Sequence, residues 1–493
     1  MKRVLLILLA VAVIGGVTTL GEPVAANTVP PPGLSPRAYA CYTTCVLPNY
    51  IVADDFNMDG WMDLAVSCIG NNVVDVYTNA GNGLFPLPPG AFAVNPGPTA
   101  LITGNIGASS NGLPDIGVLS TLTVGSPAVP VTQIPNGIAP PVDVSTLGLP
   151  KTGLVHMAGG YFDNNNILDI AVLGTAPNRL YVYADNGTQI TPGGAPILLP
   201  GVPVFATTAD FDQNGWPDIA VLCLGHPATL TVYYNNGNVV PGGVQFPSGI
   251  TATTLWLPLI PTGMDVGDFN ADGYPDLVVV GNVPVGGFLQ GYAQVLLNSV
   301  PTQLAGPIGL TAVLPAMQTW GFDTRFVEVA DFDGNGRDDF ATANYGSDTV
   351  TVFLTDGLLL GQDRRPVDPP YCLCEKQRKE DLLNIQFKLF KIELKCGHFP
   401  IGLAAGDFDR NGKVDLAVAL QSADEDLCAQ NLSCLEIDFD ISCGFNANQQ
   451  THKQVLADRG LSGTESDQCS ACKDCEGNTP PKPEIQTESD SKN

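Results

Sequence analysis

DFDQNGWPD, Asp210 to Asp218, runs straight into the apolar stretch IAVL, and its pattern returns along the chain at intervals of roughly fifty to seventy-five residues. The other complete copies are DFNMDGWMD from Asp55, DFNADGYPD from Asp268, DFDGNGRDD from Asp331 and DFDRNGKVD from Asp407. Oxygen-bearing side chains stand at positions 1, 3, 5 and 9 with Gly at position 6, which is what a short loop needs to wrap a hard divalent cation. The candidate side-chain ligands are therefore Asp55, Asn57, Asp59 and Asp63; Asp210, Asp212, Asn214 and Asp218; Asp268, Asn270, Asp272 and Asp276; Asp331, Asp333, Asn335 and Asp339; and Asp407, Asp409, Asn411 and Asp415. Position 7 (Trp61, Trp216, Tyr274, Arg337, Lys413) shares no side-chain chemistry and is expected to offer its carbonyl. Ca²⁺ suits this donor set, whereas Mg²⁺ demands near-ideal octahedral geometry and keeps its waters.

Two further copies are degraded. YFDNNNILD from Tyr161 lacks the first carboxylate but keeps Asp163, Asn165 and Asp169, and NGLPD retains only Asn111 to Asp115. A single Asp/Asn/Gly cluster has a solvated turn as its competing explanation, whereas five complete copies in matching contexts leave that explanation little room. An EF-hand is excluded by position 12, which holds Val66, Val221, Val279, Thr342 and Val418 in place of a bidentate Glu. Each loop leads into a short β-branched run (DLAV, DIAVL, DLVVV, DFATA, DLAVA), so the loop joins two strands and its last Asp opens the second.

Each loop is preceded by an apolar run and succeeded, after its strand, by an alternating run such as VVDVYTNAGNG, RLYVYADNG or TLTVYYNNG. A fourth, less regular stretch completes the unit. Four antiparallel strands in a period near fifty residues is the composition of a propeller blade, and seven units predict an all-β, seven-bladed β-propeller with Ca²⁺ loops between first and second strands and a Cys-rich C-terminal tail. The Phe at position 2 (Phe56, Phe162, Phe211, Phe269, Phe332, Phe408) is expected to wedge between neighbouring blades. Arg37 to Cys45, ahead of the first unit, is a candidate outer strand for the last unit, closing the ring.

The basic start at Lys2 and Arg3, the apolar stretch Val4 to Ile14 and the small residues up to Ala26 read as a secretory signal over residues 1–26. A Pro-rich linker follows over 27–36, the propeller over 37–450, and a polar Cys-containing tail over 451–493. Within the propeller, 364–396 is a basic insert bracketed by Cys372, Cys374 and Cys396, whose NIQFKLFKIELK alternates like an edge strand guarded by lysines. The net charge of −27 argues against nucleic acid and anionic membranes as partners. Thirteen Cys in an exported chain point to disulfides, the odd count to a free thiol or an intermolecular bridge, and the CxxCxxC at Cys469, Cys472 and Cys475 to disulfides ahead of a metal outside the cell.

Loops such as DFDQNGWPD, DFNADGYPD and DFDRNGKVD leading into apolar strands resemble the FG-GAP or VCBS repeats of integrin-α-type β-propellers, over roughly Val46 to Asn448. The Phe-Gly and Gly-Ala-Pro elements of integrin blades are not evident. The resemblance implies Ca²⁺ in the loops named above and a ligand on the opposite face, reached by loops between second and third strands and between blades. Trp320, Phe322 and Arg325, ahead of the sixth unit, and Tyr345, after its second strand, are candidate ligand contacts there.

The expected function is a secreted calcium-binding module for an extracellular protein or glycan. The four His (His156, His226, His398, His452) form no zinc-protease spacing and stand near no GxSxG turn. A propeller hydrolase or lyase acting on carbohydrate or phosphoester is the alternative, set back because nearly every clustered Asp already belongs to a metal loop. A structural cell-surface component is a third.

Overall fold

The computed structural model describes residues 39–107, 112–122, 126, 128–144, 149–163, 165–187, 190–225, 227–237, 239–240, 243–244, 252–257, 259–299, 309–312, 316–356, 386–423 and 433–438. The expected signal, linker and tail, most of the basic insert, His226, His452 and Asn111 lie outside them.

The alternating runs form antiparallel sheets whose strands succeed one another from inside to outside. The first blade is Pro48–Asp54, Asp63–Cys68, Val73–Tyr77 and Gly90–Ala93. Six more blades repeat this order, with inner strands Pro98–Gly104, Leu154–Gly160, Val202–Ala209, Ile260–Gly267, Thr324–Ala330 and Gly397–Gly406. Each inner strand touches the inner strands of the blades before and after it, so the seven make a closed circuit around an axis. Second strands such as Asp63–Cys68 and Asp339–Asn344 are buried along their whole length, which is why they read as unbroken apolar runs.

The position-2 phenylalanines fill the seams between blades. All six are 0–1% exposed. Phe56 of the first blade abuts Gly137 of the second, where a Cβ would stand 2.5 Å from the ring; Gly137 also takes φ +61°. Blade six obtains its outer strand, Gln386–Glu393, from the end of the basic insert.

The last blade is completed from the other end of the chain. Tyr39–Thr44 pairs with Ser433–Asp438 in antiparallel register, Tyr39 opposite Asp438 and Thr44 opposite Ser433. Cys41 on that closing strand is disulfide-bonded to Cys396, and Cys45 just beyond it to Cys68 of the first blade. Among the described residues Cys223 is a buried free thiol packed between the third and fourth blades. Among the described residues no helix is long and apolar enough to cross a membrane.

Candidate metal centres and the opposite face

In every complete loop the position-9 Asp (Asp63, Asp218, Asp276, Asp339, Asp415) is fully buried at the start of its strand. One of its oxygens accepts the N–H of the position-2 Phe at 2.9–3.2 Å. The position-1 carboxylate accepts the position-6 Gly N–H at 2.6–2.9 Å, and the position-5 side chain accepts the position-7 N–H at 2.8–2.9 Å. Carboxylate oxygens thus face inward along the turn. The position-6 glycines take φ +76 to +90°, a region that L residues resist. Position 4 is left-handed too: Met58, Gln213, Ala271 and Arg410 lie at φ +53 to +57° and Gly334 at +71°. That second reversal has no sequence signature, since the five side chains share nothing.

Three loops bring three carboxylates together. In Asp210/Asp212/Asp218, Asp331/Asp333/Asp339 and Asp407/Asp409/Asp415, one ligand oxygen from each residue lies within 4.8 Å of the others. These are the loops with Asp at position 3. The loops of Asp55 and Asp268 carry Asn57 and Asn270 there, and their third carboxylate, Asp59 or Asp272, is at position 5. Burial, reinforced by the neighbouring carboxylates, pushes Asp218, Asp276 and Asp339 up to about 8 and Asp63 up to about 6. Crowded negative charge in a partly dry site disfavours ionisation. A divalent ion reverses that penalty, and an all-oxygen donor set fits a hard cation. The residues present therefore fit a metal ion.

The degraded loops differ in chemistry. Asp163 and Asp169 remain in the third blade, with burial raising both, but position 1 is the exposed Tyr161. Asn165 donates to Asp163 and to the Asp185 carbonyl, and Asn166 at position 6 takes φ +64°. In the second blade, buried Asp115 accepts the N–H groups of Ile106 and Asn136 and the amide of Gln133 at 2.7–2.9 Å. Protein donors satisfy this carboxylate, which removes the need for an ion.

Sequence reasoning missed the residue that closes each third strand. Asn79, Asn235 and Asn298 donate backbone N–H to the position-9 Asp of their own blade, each at 2.7 Å. Their side-chain amides donate to the position-2 carbonyl of the preceding blade, at 2.8 Å to Phe408, 2.9 Å to Phe162 and 2.7 Å to Phe211. The recurring Asn in VYTNAG, VYYNNG and VLLNS was the available signal. Asp265 and Glu328, half-buried carboxyls on inner strands outside the metal loops, were missed as well; they modify the expectation that the loops absorb the acidic groups.

On the face away from the loops, Arg325 and Tyr345 meet, the guanidinium carbon 3.4 Å from the ring centroid. Asp323 holds Arg325 in place at 2.7 Å, and Phe399 extends the stack at 5.1 Å from Tyr345. Phe322 contacts Phe288 at 5.6 Å, not Tyr345. Trp320 and Phe322 point outward from Met317–Phe322, a strand that pairs with the third strand of blade five and leads directly into blade six, whose inner strand Thr324–Ala330 contains Arg325 rather than following it. Trp320, Asp323, Asp348 and Phe399 all take φ +51 to +62°. For bulky Trp and Phe this is an uncommon, strained conformation.

A family model described as FG-GAP-like repeat matches residues 162–221 and 210–279, from the loop of the third blade to the second strand of the fifth. No curated protein matches the sequence. Among solved structures, the PQQ-bound form of aldose sugar dehydrogenase from Streptomyces coelicolor is similar at 12% identity, with 82% of this chain and 99% of that chain covered and a TM-score of 0.36, too low to bear on function. The matched FG-GAP-like repeats sit in a ring of seven blades, five of four strands and two with a fifth strand, so the chain is a seven-bladed β-propeller that carries FG-GAP-like repeats.

Proposed function

We propose that the protein is an extracytoplasmic binding module, held rigid by Ca²⁺ in its acidic loops, that takes a protein or glycan ligand on the opposite face where blades five to seven meet. The observation that carries this reading is the Arg325–Tyr345–Phe399 stack, flanked by Phe288, Trp320 and Phe322, which are 66%, 37% and 41% exposed. Rigid aromatics beside an Arg suit sugar faces and protein hot spots, because they present large area at small entropy cost. Left-handed backbone at Trp320 and Phe399 supports the same view, since strain of this kind collects at functional positions. The two disulfides support export, as does the apolar amino-terminal stretch.

The test is a glycan and protein array probed with and without chelator. Once a ligand is identified, Tyr345→Ala and Trp320→Ala should each weaken it at least about tenfold. Unchanged affinity in both variants would place the ligand elsewhere.

A further inference from the structure

Every inner strand slips register at the same height, between Pro48 and Tyr50, Pro98 and Ala100, Leu154 and His156, Pro203 and Phe205, Pro261 and Gly263, Thr324 and Phe326, and Pro400 and Gly402. A bulge re-aims the side chain beside it. Four of the residues just past the slips carry rings, and the rings meet: Tyr50 to Phe326 at 5.3 Å, Tyr50 to His156 at 5.8 Å, Phe205 to Phe326 at 6.1 Å and His156 to Phe205 at 3.8 Å. They come from blades one, three, four and six, and blades that are not neighbours can touch only across the axis. The small residues Ala100, Gly263 and Gly402 stand at the same height. The result is an axial cavity of about 180 Å³ walled on one side by aromatic rings.

Two residues further along their strands, Asp265 and Glu328 line the same cavity. Asp265 accepts the N–H of Val266 at 2.8 Å and of Val329 at 2.9 Å, and Glu328 accepts the N–H of Ala405 at 3.1 Å. Each therefore ties its blade to the next, yet both keep surface on the cavity. Burial raises both carboxyls, Asp265 to about 7, with the Asp338 charge adding to the shift of Asp265 and the Asp265 charge to that of Glu328. Among the described residues no Lys or Arg lines the cavity. His156 supplies no charge either, because burial pushes it down to about 3. Its Nδ1 accepts the Ala206 N–H at 3.4 Å, which places the proton on Nε2, 3.3 Å from the Tyr50 hydroxyl oxygen. The chamber thus offers acidic acceptors and ring faces without a counter-charge, an arrangement that burial makes costly unless a cation enters.

We propose that the axial cavity binds a small organic ammonium ion, its N–H groups donating to Asp265 and Glu328 and its carbon body resting on Tyr50, Phe205 and Phe326. Ring faces attract cations, most strongly where water is excluded. Ca²⁺ suits the chamber poorly, since it seeks six to eight oxygens and one wall here is aromatic carbon. The volume corresponds to roughly six waters at about 30 Å³ each, room for a body of a few carbons. This site is independent of the outer ligand face.

The probe is butylammonium, with 1-butanol as neutral isostere, titrated calorimetrically into the full chain at saturating calcium. Butylammonium should bind at least about tenfold tighter than butanol, and Glu328→Gln and Asp265→Asn should each erase most of that preference. Calcium uptake equal to the parent's certifies that a variant has kept its ring. Absence of butylammonium binding, equal binding of butanol, or a preference unchanged in the variant that keeps its ring would overturn the proposal.

Discussion

At the scale of single residues, each acidic loop combines a buried anchor, a forced backbone reversal and a wedge. Phe211, 1% exposed, is the wedge of the fourth blade, and Phe211→Ala should cost about 3–5 kcal/mol in urea unfolding through the cavity it leaves. A loss under about 1 kcal/mol would mean that the seam closes without it. Gly215 sits at φ +90° with open space where a Cβ would be, so Gly215→Ala carries backbone strain alone. That strain should be about 1–2 kcal/mol, read as weaker ion binding at this loop by calorimetry with stability in chelator changed less. The inward-facing acidic residues and the position-6 glycines were legible in the sequence, because side-chain type and Gly placement carry that information. The left-handed position 4 was not. Its conformation follows from hydrogen bonds that positions 1, 3 and 5 make to the backbone, and these are indifferent to the side chain at position 4.

Among the elements, the closing strand Tyr39–Thr44 matters most, since it joins chain segments almost four hundred residues apart in one blade. Its disulfide from Cys41 to Cys396 spans 355 residues. Replacing both cysteines with Ser should lower stability by roughly 2–5 kcal/mol, and thermal unfolding of the double variant against the parent reads the loss. An unchanged melting temperature would show that strand pairing alone secures the ring. The strands themselves were readable from alternation and from unbroken apolar runs. The pairing of Cys41 with Cys396 was not, because only ring closure brings these positions together. The aromatic wall was equally hidden: Tyr50, His156, Phe205 and Phe326 sit at the same height only after seven bulges align, and no local pattern announces neighbours across an axis. Trp320 and Phe322 belong to blade five for a related reason, since Met317–Phe322 pairs with a strand earlier in the chain.

For the whole molecule, the ring carries two acidic systems, one in its loops and one on its axis. Asp265 has Asp338, Glu328, Tyr50 and His156 around it, and burial together with the Asp338 charge raises its carboxyl from 3.8 to about 7. A raised carboxyl contributes stability that is complete below the unfolded value and is lost as pH climbs through the folded one. At saturating calcium, Asp265→Asn should therefore gain in melting temperature relative to the parent between pH 5 and about pH 8; a constant difference would contradict the assignment. An ion bound in the loops would act in the opposite sense, because it needs ionised carboxylates. Ions that bind only the folded ring stabilise it by mass action, about 2.7 kcal/mol per site at a hundredfold excess over Kd. Isothermal calorimetry of Ca²⁺ into chelator-stripped full chain, paired with melting curves, tests this most directly. Uptake should match the five complete loops and raise the melting temperature in step, whereas absence of binding heat with an unmoved melting temperature would contradict the account.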